Sequence, residues 1–336
     1  MKGNFNGFLA EFSMAILAGI DEAGYGPLLG PLVVSATALR VPEDLLKADF
    51  WKVLETAVGS TKRGLGGRIL VTDSKKAYTK SSGIGHLRRS VLTAAACSVA
   101  EGGFCGSAGE FLRAVCPDCW GRFDGYAWYK GLDDLDLGAD KTDIEIAASV
   151  LRKAMDKNEV SICTLVSRCL DAGYYNRQVA AVRNKSNVLF TALCELVGEI
   201  FKEAGDNEEV HIIIDRQGGR VLYGGPLMRM FPEMELSVLL ETERISSYDL
   251  SAGDKTIRLH FKVEADKYFL PVSLSSMVSK YVREVMMEAI NNYFLGHCAD
   301  IKPTAGYWKD GQRFVADIAA MVPELEYDRE MFIRSR

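Results

Sequence analysis

Four acidic residues stand at or just after the ends of short apolar runs that predict β-strands. Asp21 and Glu22 end the first run, Asp215 ends a later run, and Asp266 follows a third. In a mixed α/β sheet the strand ends gather at one edge, which is where ligand sites form. Carboxylates brought together there repel one another unless a cation neutralises them. The spacing therefore predicts an acidic cluster that binds cations.

The chemistry expected of such a cluster is metal-assisted hydrolysis. Hard divalent cations such as Mg²⁺ prefer oxygen ligands and keep waters and substrate phosphates among those ligands. Two such ions about 4 Å apart can activate a water and stabilise the leaving oxygen of a phosphodiester. Any one of these acids, taken alone, is explained as well by a solvated strand end. For the set of four, two of which adjoin a Gly-rich turn, a metal site is the better explanation.

The elements that must position these acids are predicted from apolar periodicity and from turn residues. Two strands joined by a Gly/Pro-rich turn form a hairpin, and Asp21 and Glu22 lie at the end of its first strand. Two further strands carry Asp215 and precede Asp266, with amphipathic helices between them. The predicted strands are 14–20, 32–39, 69–73, 210–214 and 258–263, and the predicted helices are 42–58, 82–100, 186–204 and 273–294.

Residues 101–160 differ in composition from the rest of the chain, because they hold several glycines and Asp/Gly-rich stretches. We interpret this segment as an insertion of unknown role. It would divide an α/β catalytic domain into a first part, 14–100, and a second part, 161–325, that ends in a C-terminal helical region.

The eight cysteines are scattered through the chain, so we expect reduced thiols. Cys116 and Cys119 have the spacing of a metal or redox pair. A zinc site would need further ligands, for which Cys97 and Cys105 are candidates, and ordinary loop or core cysteines are the simpler interpretation.

The bulk composition is that of a globular protein. Of 336 residues, 48% are hydrophobic and 25% are charged, and the net charge is −5. This charge does not favour a broadly basic nucleic-acid binder, although a local basic face or a metal-filled acidic site can still bind nucleic acid. Residues 1–12 lack the features of a secretion signal, and no apolar run approaches the roughly 18 residues of a membrane helix. We expect a cytoplasmic monomer.

Five blocks of the sequence resemble those of type 2 ribonuclease H, also called ribonuclease HII. They occur in the order of that family and extend over most of the chain. The first block, which holds Asp21 and Glu22, and the block around Asp266 are specific, whereas the second block alone would be weak. The blocks are 19–31, 73–76, 213–215, 265–284 and 305–307.

The resemblance implies an RNase H-like fold, in which a central mixed five-stranded sheet is flanked by helices. It implies an endonuclease that hydrolyses the RNA strand of RNA–DNA hybrids, or that cuts 5′ of ribonucleotides embedded in duplex DNA, and leaves 5′-phosphates. The implied cofactors are two Mg²⁺ or Mn²⁺ ions. The implied catalytic and metal-binding residues are Asp21, Glu22, Asp215 and Asp266.

The same resemblance implies a set of substrate-binding residues. Gly24, Tyr25 and Gly26 occupy the loop that senses the ribose 2′-hydroxyl, and glycine there lets the backbone approach the sugar closely. Tyr307 matches a tyrosine that positions the nucleotide. Basic residues expected to contact phosphates are Lys75, Arg216, Lys280 and Arg283.

The sequence departs from the family pattern at two places. Tyr25 stands where the family usually has arginine, and tyrosine cannot bind a phosphate in the bidentate manner of arginine. Asp215 is followed by Arg216 and Arg220, where the family commonly has Asp-Gly, and these arginines could replace the missing contact. We therefore expect a divergent member with an altered substrate preference.

Two alternatives remain at this point. A non-catalytic nucleic-acid binder could have kept the fold, although the presence of all four acids argues against it. A related metal nuclease, such as a junction resolvase, would use the same acids on a different substrate.

Overall fold

A computed structural model of the chain describes residues 13–79, 83–98, 103–205 and 208–335. The segment 1–12, which we examined for a secretion signal, lies outside these ranges. The strands are β1 (Met14–Ala23), β2 (Leu32–Pro42), β3 (Val58–Gly59), β4 (Ile69–Leu70), β5 (Ser161–Leu170), β6 (Glu209–Asp215), β7 (Glu235–Glu241), β8 (Ile245–Ala252) and β9 (Lys255–Lys262). The α-helices are α1 (Phe50–Val53), α2 (Ser74–Ala77), α3 (Gly85–Ser98), α4 (Ala108–Val115), α5 (Trp120–Phe123), α6 (Lys141–Lys157), α7 (Ala172–Val182), α8 (Lys185–Glu203), α9 (Gly224–Met230), α10 (Leu270–His297), α11 (Trp308–Met321) and α12 (Arg329–Phe332).

The main sheet has the strand order β5-β2-β1-β6-β9-β8-β7. Strands β5, β2 and β1 are antiparallel, β1, β6 and β9 are parallel, and β9, β8 and β7 are again antiparallel. The predicted mixed α/β architecture with flanking helices is confirmed. The expected number of five strands is corrected to seven, because the hairpin of β7 and β8 extends the sheet beyond β9.

The central strands are buried on both faces of the sheet, which explains their continuous apolar runs. In β1, Leu17 belongs to one core cluster, while Ile16 and Ile20 on the opposite face belong to the other. Helix α10 covers the first face and α8 covers the second. Gly19 of β1 allows α10 to come very close, because a Cβ at this position would lie 2.2 Å from the backbone nitrogen of Val272.

The segment from residue 103 to 160 is mostly helical, and its side chains pack into the same hydrophobic core as α10. The ring of Phe111 lies 5.2 Å from that of Tyr281, and the ring of Trp128 lies 6.2 Å from that of Phe294. The segment therefore packs against the sheet-covering helix. The division of the chain into two catalytic parts and an insertion remains a prediction.

The predicted helix over 42–58 is wrong. The chain forms a 3-10 turn at Glu43–Leu45, and Asp49 then starts the short helix α1 by accepting a hydrogen bond from the Trp51 backbone nitrogen at 3.1 Å. An Asp side chain that bonds the backbone in this way begins a new helix, so the apolar spacing of 42–58 does not correspond to one continuous helix.

All eight cysteines are free thiols. None of the described helices is both long enough and apolar enough to cross a membrane.

Candidate active site

The parallel pairing of β1 with β6 brings two of the predicted acids together. Ile20 pairs with Ile214, so Asp21 and Asp215 follow side by side at the same end of the sheet. The Asp215 carboxylate accepts a hydrogen bond of 2.7 Å from the backbone nitrogen of Ala265. This bond holds the 3-10 turn Ala265–Lys267, which carries Asp266, against the end of β6.

Burial and the neighbouring acids shift the pKa values of all four carboxyl groups upward. Burial and the neighbouring charges of Glu22 and Asp215 raise the pKa of Asp21 well above its ordinary value. Burial, followed by the Asp215 charge, raises the pKa of Glu22 to about 7. Burial and the Asp266 charge raise the pKa of Asp215 to about 6, and burial also raises the pKa of Asp266. Lys75 opposes these shifts at Glu22, Asp215 and Asp266, which places its positive charge next to three of the four acids.

The donor chemistry of this cluster fits a hard divalent cation. The groups are carboxylate oxygens, and their raised pKa values record the cost of burying negative charges together, which a cation would relieve. Among the described residues, no three or more His, Cys, Asp or Glu side chains are already arranged to hold a metal ion.

A row of serines on α10 fixes the backbone of the acidic site. The Ser275 hydroxyl donates to the Gly19 carbonyl and the Ser279 hydroxyl to the Asp21 carbonyl, both at 2.9 Å. Ser276 contacts the Ser74 hydroxyl at 3.0 Å, one residue before Lys75, and Ser273 donates to the carbonyl of Asp266. One helix thus binds the elements that carry the acids and Lys75. The sequence showed α10 as a helix, but no pattern in it revealed this row of contacts.

The loop after Glu22 (residues 24–31, the glycine loop) has a backbone conformation that requires glycine at some positions. Gly24 has a φ of +86°, and a Cβ there would lie 2.6 Å from the Pro31 carbonyl oxygen, so only glycine fits. At Gly26 a Cβ would meet no atom within 4 Å, so this part of the loop is open to a ligand. Tyr25 stands between the two glycines in the sequence, and the Lys185 ammonium lies 5.0 Å from the centre of its ring.

Arg283 occupies a different position from the one predicted. Its side chain is 1% exposed and donates to the carbonyls of Pro31 at 2.8 Å, Leu29 at 3.0 Å and Ala305 at 3.0 Å. Burial lowers the pKa of its guanidinium to about 10. The expectation that Arg283 contacts a substrate phosphate is therefore corrected, because it is enclosed and its donors are used to tie the glycine loop to the segment before Tyr307.

This geometry predicts a large stability effect at Arg283. We expect Arg283→Ala to lower the free energy of unfolding by about 3 kcal/mol or more, because it removes the donor of two buried carbonyls and one partly buried carbonyl and opens a cavity. Denaturant titration measures the change. The matched control is Arg229→Ala on the exposed side of α9, which should change stability by less than about 0.5 kcal/mol. Equal effects of the two substitutions would contradict this role.

The other predicted substrate contacts differ in exposure. Tyr307 is 55% exposed at the start of α11, and Lys75 is exposed beside the acids. Lys280 is half-buried and forms an ion pair with Glu284. Arg216 donates to the carbonyls of Gly219, Arg220 and Glu243, so it shapes the loop after Asp215 rather than presenting a free guanidinium.

No protein-family model and no curated protein matches the sequence. Solved structures do match. Bst-RNase HIII in complex with Mn²⁺ shares 14% identity with this chain at a TM-score of 0.37, over 84% of this chain and 56% of that chain. This chain therefore spans little more than half of the length of the Bst protein.

Two further structures match over nearly their whole length. RNase HII of Archaeoglobus fulgidus, in a complex with PCNA, shares 16% identity at a TM-score of 0.45, over 96% of this chain and 94% of that chain. Ribonuclease H2 of Pyrococcus horikoshii shares 13% identity at a TM-score of 0.42, over 94% of this chain and 92% of that chain.

Proposed function

We propose that this protein is a metal-dependent endoribonuclease of the type 2 ribonuclease H kind. Its substrate would be the RNA strand of an RNA–DNA hybrid, or duplex DNA that contains a ribonucleotide. The observation that supports the proposal is that Asp21 and Asp215 lie at the same end of two paired strands, next to Glu22 and to the turn that carries Asp266, and that the charges of these acids affect one another. The glycine loop that follows Glu22 adjoins this edge.

The acids would hold Mg²⁺ or Mn²⁺, and these ions would supply an activated water and stabilise charge on the leaving oxygen. The residues of the chain perform the remaining tasks. The open backbone at Gly26 lets a ribose approach closely, so that the 2′-hydroxyl can be distinguished from hydrogen. Lys75 neutralises negative charge that reaches the site with the phosphate. Tyr307 offers an exposed ring and hydroxyl against which the nucleotide is positioned.

The test is a panel of labelled nucleic acids of one sequence, incubated with the full chain and either Mg²⁺ or Mn²⁺. The panel contains an RNA–DNA hybrid, a DNA duplex with one ribonucleotide, an all-DNA duplex and a four-way DNA junction. We expect cleavage of the first two only, with 5′-phosphate products and complete inhibition by EDTA. Binding without cleavage would favour a non-catalytic binder, and cleavage of the junction alone would favour a resolvase. Either result would overturn the proposal.

A further inference from the structure

A cavity of about 340 Å³ lies beside the glycine loop, on the side formed by Tyr25 and Gly26. Lys185, Trp308 and Arg334 form other parts of its wall. No Asp or Glu is among the described residues that line it. The cavity is therefore cationic, in contrast to the acidic cluster that the same loop follows.

Arg334 is held in this wall by the loop itself. Its two terminal nitrogens donate to the carbonyls of Gly24 and Tyr25, and its guanidinium carbon lies 4.1 Å from the centre of the Tyr175 ring. The side chain is only 4% exposed, yet its Nε has no hydrogen-bond partner. A buried cationic donor without a partner is costly, unless a ligand binds it.

The second cation stands at the start of a long helix. Lys185 is the first residue of α8, which has 19 residues, and its ammonium group lies above the ring of Tyr25. The amino end of a helix of this length adds a partial positive charge. Arg220 approaches the same first turn, where its Nη2 donates to the Ser186 hydroxyl at 3.0 Å and its buried Nη1 has no partner.

These three cations share one property. Within the part of the chain that the structure describes, none of Lys185, Arg220 and Arg334 forms an ion pair with a carboxylate, whereas Arg40, Arg168 and Arg258 on the strands of the sheet do. Unpaired positive charge around an unpartnered N–H donor is suited to an anion with several acceptor oxygens. The neighbouring rings of Tyr25 and Trp308 are suited to the sugar or base attached to such an anion.

We infer that this cavity binds one backbone phosphate of the substrate strand, adjacent to the nucleotide whose ribose meets Gly24–Gly26. The inference rests on the proposed function and deepens it. Lys185 and Arg334 supply the positive charge that the loop itself lacks, because Tyr25 replaces the arginine expected there. The phosphate contact therefore comes from α8 and from the end of the chain rather than from the loop.

The first measurement is duplex binding by Lys185→Ala, with Lys202→Ala as the matched control. Both lysines are exposed on α8, but Lys202 lies in its last turn. Binding is followed by fluorescence anisotropy with Mg²⁺ and a duplex that contains one ribonucleotide, in an Asp21→Asn background that keeps the duplex intact. We expect Lys185→Ala to weaken binding about tenfold and to reduce the slope of log K against log salt by about one. Lys202→Ala should change neither quantity.

The second measurement identifies the phosphate. Single neutral methylphosphonates are placed at successive positions around the ribonucleotide, and each duplex is bound to the proteins with and without Lys185. At one position we expect the methylphosphonate to weaken binding with Lys185 present and to cause no further loss in Lys185→Ala. Lys185→Arg should restore binding to the unmodified duplex. The phosphate site would be overturned if the losses of binding from the methylphosphonate and from Lys185→Ala added at every position. Equal effects of Lys185→Ala and Lys202→Ala would also overturn it.

The two proposals fail in different ways. Cleavage of ribonucleotide substrates without any coupling between Lys185 and a phosphate overturns the cavity assignment alone. Coupling between Lys185 and one phosphate, in a protein that cleaves none of the substrates, supports the phosphate site in the cavity and overturns the proposed nuclease activity. A protein that binds no duplex overturns both.

Discussion

Asp21→Asn is expected to reduce cleavage of a ribonucleotide-containing duplex by about 10³-fold or more, the upper range for loss of one charge-stabilising group. The substitution removes a negative charge from the cluster but keeps an oxygen that can accept the 2.7 Å hydrogen bond from the Glu22 backbone nitrogen. The fold should therefore persist. The measurement is the single-turnover rate in Mg²⁺.

A stability measurement separates lost chemistry from lost folding. Because burial and like charges raise the pKa of Asp21, its ionised form is unfavourable in the folded protein without metal. Asp21→Asn should then melt at the same temperature as the parent, or above it, in EDTA at pH 8. The control is Asp254→Asn in the exposed turn between β8 and β9, which should leave cleavage unchanged. Full activity of Asp21→Asn would exclude Asp21 from the reaction.

The second large effect concerns pH and metal. The pKa of Glu22 rises from 4.5 to about 7 and that of Asp215 from 3.8 to about 6. At a pH between the ordinary and the raised pKa of each group, the folded protein binds more protons than the unfolded chain does. The contribution of these groups to stability therefore falls as pH rises. We expect the metal-free parent to lose stability relative to Glu22→Gln between pH 5 and pH 8. Thermal unfolding in EDTA measures this difference.

Divalent cations should reverse that loss. At pH 8 a metal concentration one hundred times the dissociation constant stabilises by about 2.7 kcal/mol, which corresponds to an increase in melting temperature of about 4 °C for a chain of 336 residues. At pH 5 the increase should be smaller, because protons compete for the same carboxylates. If metal raised the melting temperature of Glu22→Gln by the same amount, the cation would have to bind elsewhere on the molecule.

The parts of this fold that the sequence predicted are those with strong local patterns. Strands β1 and β6 are largely buried and apolar, and β9 alternates buried apolar with more exposed polar residues, so their positions and the acids that follow them could be inferred directly. Strands β7 and β8 could not, because β7 is an exposed edge with no alternation of buried and exposed residues. Its pairing with β8 depends on the rest of the sheet.

The error at Arg283 has a related cause. Helical spacing correctly placed Lys280 and Arg283 on neighbouring positions of α10, but spacing alone does not tell which face of a helix reaches solvent. This helix is buried on most sides, and the Arg283 side chain lies in the interior. Local sequence patterns could not predict the cationic cavity either, because Arg334 contacts a loop that is 310 residues away in sequence.

The serine row on α10 has a consequence for how the site forms. Hydroxyl groups from a single helix hold the backbone at Gly19, Asp21 and Asp266. Arg283 of the same helix holds the glycine loop. These attachments form only when α10 docks on the sheet, so the site should assemble cooperatively, without a partly built form. Amide hydrogen exchange along β1, the loop and α10 should then report one common opening free energy.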